Sequence, residues 1–279
     1  MKKGKASTIL LIIAFVIGLG LLLYPTVANL YNSRFQTKAI NNYVEKVSSM
    51  NKDDFDAIWQ EVEEFNRGLL ENRNPCELTA AQAAQYEKLL DVSGTGIMGY
   101  IDIPKIEVTL PIYHGASEGV LQIAVGHLEW SSLPAIGESV HCVLSGHRGL
   151  PSSKLFTDLP DLVEGDMFSL TVLDKVLSYQ IDQILIVKPE ETQELMITQN
   201  KQYCSLVTCT PYGINTHRIL VRGHLISDKD KMSALHITAD AVQIEAPIVA
   251  PILAIPLLLI LIAVLVIPNR RKKKKQKER

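Results

Sequence analysis

Two uncharged apolar runs constrain this chain more than any other feature. No Asp, Glu, Lys or Arg falls between Lys5 and Arg34, and residues 9–24 are almost wholly Leu, Ile, Val, Gly and Phe. None falls between Glu245 and Arg270 either, where 246–268 reads APIVAPILAIPLLLILIAVLVIP. Each run reaches the roughly 20 residues that carry a helix across about 30 Å of hydrocarbon, and buried globular helices seldom stay apolar for so long. Two membrane spans are therefore expected, at 9–28 and 246–268, the second kinked at Pro247, Pro251 and Pro256. The first has a rival reading as a cleaved signal peptide, because Thr26-Val27-Ala28 resembles a small-residue cleavage site.

The flanking charges set a topology. Lys2, Lys3 and Lys5 precede the first run, and eight basic residues against Glu278 occupy 269–279. Cationic flanks stay on the cytoplasmic side, so the basic N-terminus (1–8) and basic tail (269–279) are expected inside and 29–245 outside. The tail's charges read as stop-transfer topology against membrane lipid rather than recognition of one particular lipid. Between the tails lie 17 basic and 29 acidic residues, a net of −12 that argues against a body built to bind nucleic acid. A 47% hydrophobic content excludes a disordered chain, and four cysteines are too few for a disulfide scaffold.

Between the spans the pattern is first helical, then stranded. Phe55, Ile58, Trp59, Val62 and Phe65 recur at helical spacing behind Asp53, the expected N-cap. Asn72-Arg73-Asn74-Pro75 separates that helix from a second expected over 80–90 after Thr79. The composition changes at Ser93-Gly94-Thr95-Gly96. Beyond it 99–106, 108–113, 140–145, 167–173, 177–187, 204–210 and 218–226 read as strands, with a short helix within 118–125. Seven or eight short strands with brief helices predict a mainly β, closed or nearly closed barrel. The expected organisation is a helical region over 29–96, a barrel over 97–228 and a linker over 229–245.

Cys76, Cys142, Cys204 and Cys209 form no CxxC pair and no metal-like Cys/His spacing, so no metal site is expected. Cys204 and Cys209 stand five apart on one strand and face opposite ways, which leaves one of them for core packing. Cys209 ends its strand just before Pro211-Tyr212-Gly213, where a thiol at a barrel rim can meet substrate. The chain returns through Asn215-Thr216-His217-Arg218, a turn that sets Cys209 and Arg218 side by side on neighbouring strands. A guanidinium there stabilises a thiolate, or an oxyanion developing on an attacked carbonyl; the plain alternative is an ordinary surface arginine.

A thiol nucleophile also needs a proton carrier. His147 closes an apolar strand in Val143-Leu144-Ser145-Gly146-His147-Arg148-Gly149, where the glycines allow a sharp departure. His217 adjoins Arg218 and so faces the other way. His114, His127, His141, His224 and His236 lack such a setting, and most are expected to be solvated or satisfied by neighbours.

Ser205-Leu206-Val207-Thr208-Cys209, followed by Thr210-Pro211-Tyr212-Gly213-Ile214-Asn215-Thr216-His217-Arg218-Ile219-Leu220-Val221-Arg222-Gly223, resembles the active-site hairpin of class C sortases, the pilus-assembling transpeptidases of Gram-positive bacteria. Ser205 stands where the family's TLxTC motif has threonine. Residues 99–106 resemble the family's opening strand, and 145–150 with Lys154-Leu155-Phe156 its histidine region; the double anchor also fits class C. The resemblance covers about 99–226 and implies an eight-stranded sortase barrel. It implies Cys209, His147 and Arg218 as the catalytic triad, with Ser205, Leu206 and Thr208 as candidates for the substrate groove. Cys209 would attack the Thr–Gly carbonyl of an LPXTG-type sorting signal on a pilin or surface protein and form a thioacyl enzyme. Arg218 would hold the substrate backbone and the oxyanion, and His147 would protonate the leaving amine and deprotonate the incoming one. In class C that amine is a lysine of another pilin; in a housekeeping sortase it comes from a cell-wall precursor. No cofactor is implied.

One departure from the family stands out. Class C sortases carry a lid with an Asp-Pro-aromatic tripeptide, and this chain contains no Asp-Pro. Asn74-Pro75-Cys76, within 72–78, occupies about that place with an amide and a thiol instead. An amide forms no ion pair with Arg218, so a weaker lid is expected, and Cys76 becomes a candidate for a disulfide with Cys209 in an extracellular compartment. Two readings stand beside the transpeptidase: a simple thiol hydrolase, and a non-catalytic membrane scaffold with a decayed site.

Overall fold

In the computed structural model, which describes residues 3–72 and 74–227, the first apolar run is part of one long helix, α1 (Lys3–Ser48). Its Leu10–Ser48 portion is long and apolar enough to cross a membrane, with mean hydropathy reaching 2.5. Pro25 does not interrupt it. The expected linker, second span, basic tail and His236 lie outside the described residues. The N-terminal stretch to Thr26 forms one unit and a compact body begins at Val27; the barrel and the site belong to the body.

Helix α2 (Lys52–Leu69) starts at Asn51, not at the expected Asp53. Asn51 has the extended backbone a cap needs, and its Oδ1 accepts from Asp54 N at 3.0 Å while the Asp54 carboxylate accepts from Asn51 N at 3.1 Å. Asp53 falls in the first turn instead, where its charge suits the helix N-terminus. The apolar stripe read from the sequence buries Val62 and Phe65, together with Leu69, in the core. Helix α3 (Ala80–Tyr86) is capped by Thr79 with Gln82, but it stops short of the expected Leu90. Leu89 and Leu90 both enter the core, and Leu90 reaches it with a left-handed backbone (φ 64°) that no helix accommodates.

Eight strands follow: β1 (Ile97–Ile103), β2 (Val108–His114), β3 (Val125–His127), β4 (Val140–Ser145), β5 (Met167–Val172), β6 (Lys175–Val187), β7 (Gln202–Thr210) and β8 (His217–Leu225). They close into a barrel in the order β1-β2-β3-β4-β7-β8-β6-β5. The short helix α4 (Glu118–Leu121) lies between β2 and β3. Side-chain alternation sorts β4, β7 and β8 cleanly. Cys142, Leu144, Cys204, Leu206, Ile219 and Val221 join the main core, while Val143, Val207 and Leu220 join a second cluster with Leu195. The two sets lie on opposite faces of the same strands.

The helices are tied to the barrel by specific polar contacts. Tyr43 of α1 donates to Met98 O at 3.0 Å and accepts from Leu173 N at 2.8 Å. Asn66 of α2 is buried, and its amide makes paired bonds of 3.0 and 2.8 Å with the Leu133 backbone.

Candidate active site

Cys209 is the penultimate residue of β7 and is half-buried. Antiparallel pairing with β8 puts Arg218 directly opposite it. The turn between them takes left-handed backbone at Gly213 and Asn215, a conformation for which glycine and asparagine are suited. On its other side β7 runs parallel to β4, with Leu144 opposite Leu206 and Ser145 opposite Val207. Past the end of β4 the pairing goes on, because Gly146 N donates to Val207 O at 3.1 Å and Thr208 Oγ1 to Gly146 O at 2.7 Å. His147 follows Gly146 directly, so the histidine loop departs beside the end of β7 that carries Cys209. By alternation, Cys209 and Arg218 share the face of Val207 and Leu220.

The loop after β4 is shaped by its glycines. A Cβ on Gly146 would meet the Phe156 ring at 2.7 Å, and Phe156 is fully buried and donates its N–H to His147 O at 3.1 Å. Gly149 (φ +76°) leaves room for the Tyr212 ring from the β7–β8 turn. Arg148 Nη1 reaches Thr210 Oγ1 at 3.3 Å. The histidine loop and the cysteine hairpin therefore touch at several points.

His147 Nε2 lies 3.2 Å from Glu118 Oε1 at the start of α4. The Gln122 amide first, and His147 second, hold the Glu118 carboxyl below its usual range. Arg218 Nη1 donates to Asn215 O at 3.1 Å and to His217 O at 3.0 Å, both carbonyls of its own hairpin. His217 turns its Nδ1 to Thr216 Oγ1 at 3.0 Å.

The three groove candidates are placed differently from expectation. Leu206 is in the barrel interior, Ser205 is buried against His141, and Thr208 is buried with its hydroxyl bound to Gly146 O. They are covered side chains rather than an open groove: Leu206 by the core, Ser205 by His141 and Thr208 by its bond to the histidine loop.

The other thiols fall into place around this. Cys142 and Cys204 face each other across β4 and β7, both fully buried, and burial pushes the Cys204 thiol up. Cys204 is thus the core-packing member of the Cys204/Cys209 pair. Cys76 is half-buried, with Sγ 3.9 Å from Thr192 Oγ1 on the β6–β7 connection, and Asn74 O closes a turn by accepting from Glu77 N at 3.3 Å. All four cysteines are free, so Cys76 and Cys209 are not joined by a disulfide.

Three of the remaining described histidines are held by close hydrogen-bond partners, while His224 has its Nδ1 3.8 Å from Asp182 Oδ2. His127 Nδ1 lies 3.0 Å from Tyr86 Oη, and His114 binds the Gly96 and Leu89 carbonyls. His141 Nδ1 stands 3.0 Å from Met196 O and its Nε2 2.8 Å from Ser205 Oγ. A carbonyl can only accept, so Nδ1 carries the proton and the neutral ring accepts from the Ser205 hydroxyl. Burial is the main reason the His141 imidazole is held down to about 4. Above pH ~6.5 the ring is neutral in both folded and unfolded chains and contributes no pH dependence. Below that the unfolded chain takes a proton the fold refuses, so this group should lower stability by about 3 kcal/mol between pH 6.5 and 4. Urea unfolding of wild type and His141→Gln over that interval should show the variant losing stability less steeply; parallel curves would contradict the assignment.

Glu118 was not apparent as a site residue from the sequence: it lies 29 positions from His147, and no local pattern links the two. Among the described residues no group of three or more His, Cys, Asp or Glu side chains is placed to hold a metal ion.

The chain is similar to known proteins over its barrel. The sortase-domain family matches residues 101–226. Sortase D of Bacillus subtilis (strain 168) is 32% identical over 115 residues, 41% of this chain and 55% of that protein; the chain thus spans about half the length of that relative. Among solved structures, sortase C1 from Streptococcus agalactiae is 47% identical, covering 68% of this chain and 99% of its own, with a TM-score of 0.66. Clostridium perfringens sortase C, solved with the C-terminal cell wall sorting motif, is 40% identical over 68% of this chain and 99% of its own, with a TM-score of 0.59.

Proposed function

This chain belongs to the sortase family, with class C sortases as its structural neighbours, and we propose that it is a membrane-anchored cysteine transpeptidase that builds covalent pili. It would cleave an LPXTG-type sorting signal between Thr and Gly and join the acyl part to a pilin lysine. The observation that carries this reading is the seating of Cys209 at the end of β7, directly opposite Arg218 of β8, and the loop of His147 leaving β4 beside that strand supports it. The neighbour solved with a cell wall sorting motif supports the substrate class.

In the proposed reaction the Cys209 sulfur attacks the threonine carbonyl, the C–N bond to glycine breaks, and a thioester forms. Arg218 steadies the oxyanion, and His147 gives its proton to the departing amine. The lysine amine then attacks the thioester, His147 takes the proton back, and the thiolate leaves as the isopeptide bond forms. The barrel over 97–228 would work outside the cell between spans at 9–28 and 246–268, with both termini cytoplasmic. Asn74-Pro75-Cys76 is the candidate lid, resting on Thr192.

The test uses the full chain in lipid nanodiscs with peptides carrying LPXTG-type signals. Intact mass should show an acyl adduct, and proteolysis should place it on the Cys209 peptide. Adding a lysine-bearing pilin peptide should discharge it as an isopeptide product faster than a cell-wall-precursor amine does. Absence of any adduct across several signal variants would favour the scaffold reading. Preferential discharge by the precursor amine would make this a housekeeping sortase, and discharge by water alone a thiol hydrolase.

A further inference from the structure

Within the body, α1 lies along the loop that carries His147. Asn29, Asn32 and Gln36 are spaced three and four apart and share one helix face. Asn29 Oδ1 accepts from Lys154 N at 2.9 Å, and Asn32 Nδ2 donates to Ser152 O at 2.7 Å. Gln36 Nε2 donates to Ser153 Oγ at 3.2 Å and to Ile123 O at 2.7 Å.

These partners bracket the histidine. Residues 152–154 belong to the loop that closes on His147 through the Phe156 N to His147 O bond of 3.1 Å. Ile123 follows α4, whose first residue, Glu118, stands 3.2 Å from His147 Nε2. One helix face thus holds both segments between which the imidazole sits.

We propose that Asn29, Asn32 and Gln36 are positioning residues for His147, so that the helix continuous with the apolar run fixes where the proton carrier stands. The inference rests on the reading of His147 as that carrier. A general acid works only within hydrogen-bond reach of its proton acceptor, and a misplacement of about 1 Å can cost about a hundredfold in rate. The loop has few ladder bonds of its own: Leu150 and Ser153 make a single isolated bridge, and Gly146 and Gly149 add backbone freedom. The side-chain bonds from α1 supply the missing restraint. Phe156 is fully buried and anchors the loop in the core, so loss of the α1 bonds should loosen the histidine rather than unfold the barrel.

The test compares full-length wild type, Asn32→Ala/Gln36→Ala and Thr37→Ala in nanodiscs. Thr37 is on the same helix, and among the described residues its hydroxyl binds only the Ser33 carbonyl. Two rates are followed against pH: acyl adduct formation with the signal peptide, and alkylation of Cys209 by iodoacetamide, localised by peptide mass. The double variant should form adduct about tenfold more slowly, with the pH profile of alkylation moved toward that of His147→Ala; Thr37→Ala should match wild type. In the His147→Ala background the double substitution should change alkylation no further. If wild type forms the adduct and the double variant stays within twofold at every pH, the inference is wrong. It is equally wrong if the double substitution moves the alkylation profile by as much in the His147→Ala background, because the helix would then act by another route. A wild type that forms no Cys209 adduct removes the catalytic reading itself, and this inference with it.

Discussion

Cys209→Ala should form no acyl adduct, a loss on the order of 10^4-fold or more in thioacyl formation, whereas Cys76→Ala should form it at about the wild-type rate or faster. The argument starts from exposure. Cys142 and Cys204 are fully buried in the barrel and cannot meet a peptide. Of the two half-buried thiols, Cys76 has the Thr192 hydroxyl as its polar neighbour, a neutral group 3.9 Å away that brings no positive charge to the sulfur. Cys209 has a guanidinium directly across the strand pair. A serine at 209 should not restore activity, since an alcohol ionises far less readily than a thiol. Because the four thiols are free, reductant should leave the wild-type adduct unchanged. An adduct that persists in Cys209→Ala, or one that appears in wild type only after reduction, would overturn this account; the second result would point to a Cys76–Cys209 latch.

Much of the barrel is written in local patterns that a reader of the sequence can use. Strand β4 was expected at 140–145 and is found there, because a mostly apolar stretch ends at Gly146. Strand β3 escaped notice: Val125, Gly126 and His127 are too few to display an alternation, and β3 exists because β2 and β4 pair with it. The end of α3 was misplaced for a related reason. Core packing of Leu89 and Leu90 overrides the helical spacing that continues through them.

The site divides along the same line. The side-by-side placement of Cys209 and Arg218 follows from one short turn, so hairpin register makes it legible. The neighbour on the other side depends on parallel pairing between strands some 62 positions apart, as in the Thr208 to Gly146 bond. No local spacing encodes such pairing: the glycines around His147 at the end of an apolar strand, and then the resemblance, singled that residue out without locating it in space. Glu118 reaches His147 across 29 positions, and Asn32 reaches Ser152 across 120. Contacts of that kind are set by tertiary structure alone. The groove candidates are covered because a motif names which residues recur and not what packs on each: Leu206 and Thr208 face away from Cys209, and Ser205 shares its face but lies under His141.

Arg218→Ala should slow adduct formation by about 10^2 to 10^3-fold, the usual cost of losing one donor to a developing oxyanion. Arg218 stands opposite Cys209, and its Nη1 is already held by the Asn215 and His217 carbonyls. Those two bonds fix the guanidinium before substrate arrives, which leaves its remaining N–H groups available without reorganisation. Arg218→Lys should recover little, because a single ammonium has neither the fork nor enough reach to bind the hairpin carbonyls and an oxyanion together. An interaction made with charge that develops in the transition state lowers kcat and kcat/KM alike, while one made with the resting peptide raises KM alone. Single-turnover kinetics of wild type, Arg218→Ala and Arg218→Lys across peptide concentrations should therefore show the loss in the maximal acylation rate. A decrease of less than threefold, or one confined to KM, would make Arg218 a substrate-docking group and move the oxyanion donors elsewhere on the rim.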